Sequence, residues 1–231
     1  MRGCVSRGDR GCRPTAARSA YRRPRPLEID HVLIAVTDLA AGAREMEARH
    51  GLASVEGGRH PGWGTANRIV PLGEAYLELI AVVDPDEAAR SSFGSWVAAA
   101  ATPTGQPLGW AVRTDDLDGV AARLGLAVTA NSRKNASGQT LSWRLAGVEQ
   151  AVAESSLPIL VEWGDGTPHP GRAAVERPAG APRLARVELS GDAERVDRWL
   201  GSHTLPISIR AGMPAVASII LSGSAGEFEL V

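Results

Sequence analysis

Three ionisable side chains interrupt apolar, strand-like runs, and their types could do chemistry together. His31 lies within LEIDHVLIAV, residues 27–36; Glu78 within Tyr76-Leu77-Glu78-Leu79-Ile80; Glu162 within Ile159-Leu160-Val161-Glu162-Trp163. A carboxylate buried without a partner costs several kcal/mol or takes up a proton. Each glutamate therefore either faces solvent or belongs to a site, and His31 is either a satisfied core residue or part of that site. Both glutamates fall at the same place in matching strands, which favours a shared site. Imidazole and carboxylate donors without thiolates suit a divalent ion such as Mn, Fe, Zn or Ni. Such an ion would chelate neighbouring substrate oxygens and stabilise an enolate, while a nearby glutamate moves the proton.

Residues 57–67, GGRHPGWGTAN, are the second chemical feature. The glycines permit tight turns and close approach of backbone to a ligand. His60 is a candidate acid/base group and Trp63 an aromatic wall; Thr65 and Asn67 offer hydrogen bonds and Arg68 an anion clamp. A hairpin loop with ordinary turn chemistry has the same composition. Neither the P-loop nor the dinucleotide spacing is present. Trp110, Trp143 and Arg144 lie in strand-like runs, where they either line a pocket or pack the core. His169, between Pro168 and Pro170, reads as a surface linker residue, and His50 and His203 as end-of-helix groups.

These residues need elements to position them, and the chain of 231 residues repeats a pattern. A strand over 27–36, a helix capped by Thr37 or Asp38 and closed near Gly51, and strands at 52–56, 65–72 and 75–83 form a first round. A second runs from 107–113 through a helix capped at 114–116 and closed at Gly125, then strands at 126–130, 139–146 and 157–163. A third has a strand at 183–189, a helix over 192–200 stopped by Gly201, and strands at 207–210, 215–221 and 227–231. Ile34, Ala111 and Val187 hold similar places, 77 and 76 residues apart. The spacing predicts an α+β fold of βαβββ units, with curved mixed sheets around a concave site. An extra helix is expected over 86–101 and a Pro/Gly-rich linker over 163–182. The domains are then a basic, disordered leader (1–26), a two-unit domain (27–171, with units 27–83 and 107–163) and a third unit (183–231). An odd number of units leaves one sheet without an internal partner, which a second copy, as a homodimer, would supply.

Composition narrows the class. Residues 1–26 hold eight arginines against one acid, Asp9, so the net charge of −1 hides an acidic body. That is a poor nucleic-acid ligand, which needs a basic face. No apolar run is long enough to span a membrane. Both cysteines, Cys4 and Cys12, lie in the leader, which excludes a disulfide framework or thiolate site in the body and fits a reducing, cytoplasmic interior.

At these residues the sequence resembles the glyoxalase-like domain family of the vicinal oxygen chelate superfamily (the glyoxalase/bleomycin resistance/dioxygenase group). The matching pieces are Asp30-His31-Val32 with 36–39, 57–60 with 64–67, and 76–79; in the second unit, 109–111 with 114–117, 141–145 and 158–163. The resemblance runs from about residue 28 to 171. It implies a glyoxalase-like fold and a metal held by His31 and Glu78 with Glu162. A further histidine, which the superfamily often places at the start of the second unit, is replaced here by Leu108, Gly109 and Trp110; His60 would complete the shell. Glu229 would stand in for Glu162 if units one and three paired. The expected function is a metal-assisted lyase or isomerase acting on a compact oxygen-rich substrate. Glu78, Glu162 and His60 would act as acid/base groups, with Trp63, Thr65, Asn67, Arg68, Trp110, Trp143 and Arg144 around the substrate. The alternative is a non-catalytic protein that sequesters a small molecule, which the six tryptophans favour.

Overall fold

The computed structural model describes residues 26–134, 138–175, 182–224 and 226–231. The leader up to residue 25 and part of the 163–182 linker lie outside the described residues. The first round comprises β1 (Glu28–Ala35), α1 (Leu39–His50), β2 (Val55–His60), β3 (Thr65–Pro71) and β4 (Tyr76–Val82). Two helices, α2 (Pro85–Ala88) and α3 (Ser92–Ala100), lead to the second round: β5 (Gln106–Arg113), α4 (Leu117–Leu124), β6 (Thr129–Lys134), β7 (Thr140–Ala146), α5 (Val148–Ala153) and β8 (Ile159–Trp163). The third comprises β9 (Arg183–Ser190), α6 (Ala193–Leu200), β10 (Ile207–Arg210), β11 (Ala215–Gly223) and β12 (Gly226–Leu230).

The long helices start and stop where side-chain chemistry dictates. Asp38, Asp116 and Asp192 accept from the backbone N–H groups of Ala41, Gly119 and Arg195, satisfying donors the first turn leaves unpaired. Gly51 and Gly125 end α1 and α4 in the left-handed conformation. The single helix expected over 86–101 is two helices, because Ser91 accepts from Gly94 N–H and caps a fresh start. Helix α5 was not expected: six residues are too short for a periodic signal, and no side chain caps it.

The first two rounds form one curved eight-stranded sheet of order β2-β3-β4-β1-β5-β8-β7-β6. Strand β1 runs parallel to β4 and antiparallel to β5, so the units meet at the centre. This is the curved mixed sheet of the expected α+β fold. In the third round β9 pairs parallel with β10 and antiparallel with β11, in a four-stranded sheet of order β10-β9-β11-β12. In the first two rounds the parallel partner of the opening strand is instead the last strand, β4 or β8.

Strand alternation divides the core. Val32, Ile34, Leu77, Leu79, Trp110, Val112 and Leu160 face outward, under α1, α4, α6 and the third sheet. The third sheet is tied down by Arg123, which donates to the carbonyls of Arg198 and Trp199 at the end of α6, and by Trp199, whose indole donates to the Pro158 carbonyl. Leu33, Ala35, Ile80, Ala111, Ile159 and Val161 face the concave side, where Phe93 and Val97 of α3 and Ala151 of α5 close one end. The offset of 77 that matches Ile34 to Ala111 is therefore one residue out of phase: Leu33, not Ile34, shares the inner face with Ala111.

Candidate active site

The concave side holds a cavity of about 60 Å3. Its polar end is built by the first unit. Residues His31 and Leu33 of β1 lie beside Tyr76 and Glu78 of β4, in a register that pairs His31 with Tyr76 and Leu33 with Glu78. His31 Nε2 is 3.3 Å from Glu78 Oε2, and the His31 ring stacks on Tyr76 with centroids 4.6 Å apart. Asn67 Nδ2 donates to Glu78 Oε1 at 2.7 Å. Asn67 Oδ1 in turn accepts from Gly58 N–H at 2.9 Å, which sets the orientation of the side-chain amide. Only glycine fits at position 57, because a Cβ there would lie 1.9 Å from Asn67 Oδ1. The segment expected as a glycine-rich loop is thus strand β2 through His60, its small residues making room for a neighbour's side chain. His60 Nε2 is 3.6 Å from Glu78 Oε1, and its Nδ1 shares a hydrogen bond with Thr65 Oγ1 at 3.0 Å. Glu78 thus lies between two buried imidazoles.

Behind His31 stands Asp30. On a regular strand, neighbours point to opposite faces. Here Ile29 pairs with Val112 and His31 with Ala111, leaving Asp30 as an unpaired bulge residue. Such a bulge re-aims a side chain. Asp30, fully buried, accepts from His31 Nδ1 at 2.7 Å, Trp163 Nε1 at 2.8 Å and His169 Nε2 at 2.9 Å. Burial alone would raise the Asp30 carboxyl, but the hydrogen bonds from His169 and His31 outweigh it and hold Asp30 ionised far below the usual carboxylate range. Burial alone would lower His31; its hydrogen bond to Asp30 and the charges of Asp30 and Glu78 prevail and raise it. His60 is lowered, chiefly by burial and further by Arg133 and His31, against the opposing charge of Glu78. Burial, with Asp30 and Glu78, raises the Tyr76 phenol well above its ordinary value. The first unit thus gathers an imidazole whose charged form is favoured, one whose neutral form is favoured, and a carboxylate.

The rest of the cavity is aromatic and aliphatic: Trp63, Phe93, Trp143, Leu145, Ile159, Val161 and Trp163, with Arg133 among the lining residues. Trp63 packs on Phe93 at 4.3 Å between centroids.

Among the residues singled out from sequence, the structure brings His31, His60, Trp63, Asn67, Glu78 and Trp143 to this cavity. Thr65 stands behind His60 as its hydrogen-bond partner. Five others lie elsewhere. Strand β8 turns Ile159, Val161 and Trp163 inward, so Glu162 faces the other side, where Arg144 Nε donates to it at 2.7 Å and Arg144 also binds Asp118. The shared site of His31, Glu78 and Glu162 is therefore not assembled, and Arg144 serves this outer ion pair rather than the cavity. Trp110 is fully buried in the outer core, its indole donating to the Ser156 carbonyl. Arg68 binds Ser54. Glu229 is exposed on β12, in the sheet of the third unit. His169, expected on the surface, reaches Asp30. Phe93, Arg133, Trp163 and Tyr76 carried no site signal in the sequence, because strand parity and helix docking place them.

Residues 29–204 match the family model of the glyoxalase-like domain. The chain belongs to that family. No curated protein sequence matches. Among solved structures, a hypothetical protein from Staphylococcus aureus shares 15% identity at a TM-score of 0.64, over 86% of this chain and 92% of that one; this likeness shows the fold alone. Methylmalonyl-CoA epimerase from Streptomyces coelicolor, in complex with 2-nitronate-propionyl-CoA, shares 20% identity at a TM-score of 0.44, over 62% of this chain and all of that one. The Mycobacterium tuberculosis epimerase shares 20% at 0.41, over 58% of this chain and 85% of that one. No helix among the described residues is long and apolar enough to cross a membrane.

The resemblance drawn from the sequence implies a divalent metal. The donors here can be tested against such an ion. Only the first unit turns imidazole and carboxylate groups into the cavity; the second offers Leu145, Ile159 and Val161. Among the described residues, no three His, Cys, Asp or Glu side chains are grouped to hold an ion. The Glu78 carboxylate already takes Asn67 Nδ2 on one oxygen and faces His31 on the other. Among the described residues, the imidazole and carboxylate donors facing the cavity are thus limited to His31, His60 and Glu78, all from the first unit.

Proposed function

We propose that this protein is a proton-transferring isomerase or lyase acting on a compact substrate with an apolar or aromatic body and a polar carbonyl head. The observation that supports this most is the Glu78 carboxylate set between His31 and His60 at the polar end of an otherwise apolar cavity. Glu78 takes a proton from carbon next to the carbonyl, with Asn67 orienting it. The His31 imidazolium donates a hydrogen bond to the enolate oxygen as charge develops, or returns a proton. His60 is the neutral group that relays the proton away from Glu78. The aromatic wall excludes water, which strengthens these interactions. A cytoplasmic setting suits a folded part without cysteines.

The test is exchange of the substrate's acidic C–H in D2O, followed by proton NMR. Phenylpyruvate and acetophenone, as aromatic carbonyl probes, and pyruvate, as a small one, are incubated with protein treated with chelator. Exchange above the buffer rate, lost in Glu78→Gln, supports the reading. A rate that returns only when Mn, Fe, Zn or Ni is restored overturns the metal-free mechanism. A second reading, a non-catalytic binder, draws on the aromatic lining of Trp63, Phe93, Trp143 and Trp163. Saturable tryptophan quenching without exchange would establish that reading instead.

A further inference from the structure

The segment after β8 runs back to the site before it leaves for the third unit. His169 lies within Thr167-Pro168-His169-Pro170, and a one-turn 3-10 helix, Pro170–Arg172, follows it. Two prolines restrict the backbone on either side. The segment is fastened to the β3–β4 turn: Gly73 N–H donates to the Gly171 carbonyl at 2.8 Å, and Arg172 pairs with Glu74. Gly171 packs so closely that a Cβ would lie 2.4 Å from the Ala75 carbonyl oxygen.

Two bonds of His169 favour one tautomer, although Arg113 Nη1 also lies 3.3 Å from its Nε2. Gly171 N–H donates to His169 Nδ1 at 3.2 Å, so Nδ1 is the acceptor and the ring hydrogen sits on Nε2. That hydrogen goes to Asp30 Oδ2 at 2.9 Å, across 139 residues of sequence. Trp163 Nε1 donates to the same oxygen, leaving the other oxygen, Oδ1, for His31 Nδ1. Asp30 therefore has one oxygen anchored by the end of the second unit and its following segment, and one that orients the first unit's histidine. The His169 ring sits edge-on to both Tyr76 and Trp163, at 5.7 Å from each.

We propose that His169, with Trp163, is a positioning residue: it fixes the Asp30 carboxylate, which holds the His31 ring with Nε2 toward Glu78. The segment 164–172 is thus a working part of the site rather than a connector. This inference rests on the proton-transfer reading for its effect on rate, but its structural claim stands separately and is read separately.

The experiment uses the full chain labelled with 15N-histidine. The His31 imidazole nitrogens, assigned by their loss in His31→Asn, report ring tautomer and hydrogen bonding. In His169→Ala they are expected to shift markedly and broaden, and C–H exchange to fall by about 10–100-fold in kcat with KM within about twofold. His169→Gln, whose amide can donate to Asp30, is expected to restore most of both. Arg172→Ala loosens the same segment without touching Asp30 and is expected to leave the His31 signals in place. If His169→Ala does not fold, His169→Asn, too short to reach Asp30, takes its place. Unchanged His31 signals in a folded His169→Ala or His169→Asn protein overturn the proposal. So do equal shifts in Arg172→Ala, which would make His169 merely a fastener of the segment. If the shifts occur but no probe exchanges, the positioning stands and the proton-transfer reading falls.

Discussion

The two halves of the eight-stranded sheet have the same succession of elements and opposite inner faces. The first unit turns His31, Glu78, His60 and Asn67 into the cavity, whereas the second turns Trp143, Leu145, Ile159, Val161 and Trp163, with Arg133 as its charged lining residue. The second unit has a carboxylate of its own, Glu162, but directs it outward to Arg144. One residue of strand phase separates an acid/base group from a surface ion pair. The comparison teaches that a repeated scaffold need not repeat its chemistry: here one half supplies the candidate acid/base groups and the other a mostly apolar wall, which raises their electrostatic strength.

The division can be broken most sharply at Glu78. Glu78→Gln keeps the shape and the contact with Asn67 but removes the base, and C–H exchange should fall by about 10²–10⁴-fold. A loss of less than tenfold would mean the polar half is not where the proton moves. Next is Asp30→Asn, which removes one charge from a buried hydrogen-bonded pair. Chemical denaturation should show a loss of about 3–5 kcal/mol, the usual cost of leaving a buried ion without its partner.

The pH dependence sharpens the same contrast, since the imidazoles facing the cavity are the first unit's. His31 is raised in the folded protein, so its stabilising contribution is complete below about 6.5, the unfolded value, and is lost as pH rises through the folded value. His60 is lowered, so the folded state loses stability as pH falls from about 6.5 through its folded value. Together they predict a stability maximum near pH 6.5, read as the urea midpoint across pH 5–8. His31→Asn should flatten the alkaline limb and His60→Asn the acid limb. Reversed limbs would contradict the charge states given to the two rings. The smallest effect is expected on the outer face of the second unit. Glu162→Gln should leave exchange unchanged and cost at most about 1 kcal/mol, because its partner Arg144 is partly solvated. A large loss of turnover in Glu162→Gln would return that carboxylate to the active site.

Much of the architecture was legible because it is written in local chemistry. Aspartate caps and stop glycines recur at the ends of α1, α4 and α6, and three strands follow each helix. His31, Glu78, His60, Asn67, Trp63 and Trp143 were also legible as chemically loaded residues in or beside strands. Glu162, Arg144, Arg68 and Trp110 looked equally loaded and lie outside the cavity. Their side of the sheet depends on a one-residue phase, which an approximate repeat of 77 residues cannot resolve.

The sequence by itself therefore determined the α+β class, the first two repeating units and a set of candidate groups, since caps, turns and strand alternation act over a few neighbours. Tertiary structure alone decided which candidates meet. The bulge at Asp30 depends on pairing between β1 and β5, far apart in sequence, and turns an outward-reading residue toward His31. The approach of His169 to that carboxylate depends on how a proline-flanked segment packs on the turn between β3 and β4. Both are long-range hydrogen-bonding solutions to burying a charge, and no local pattern encodes them.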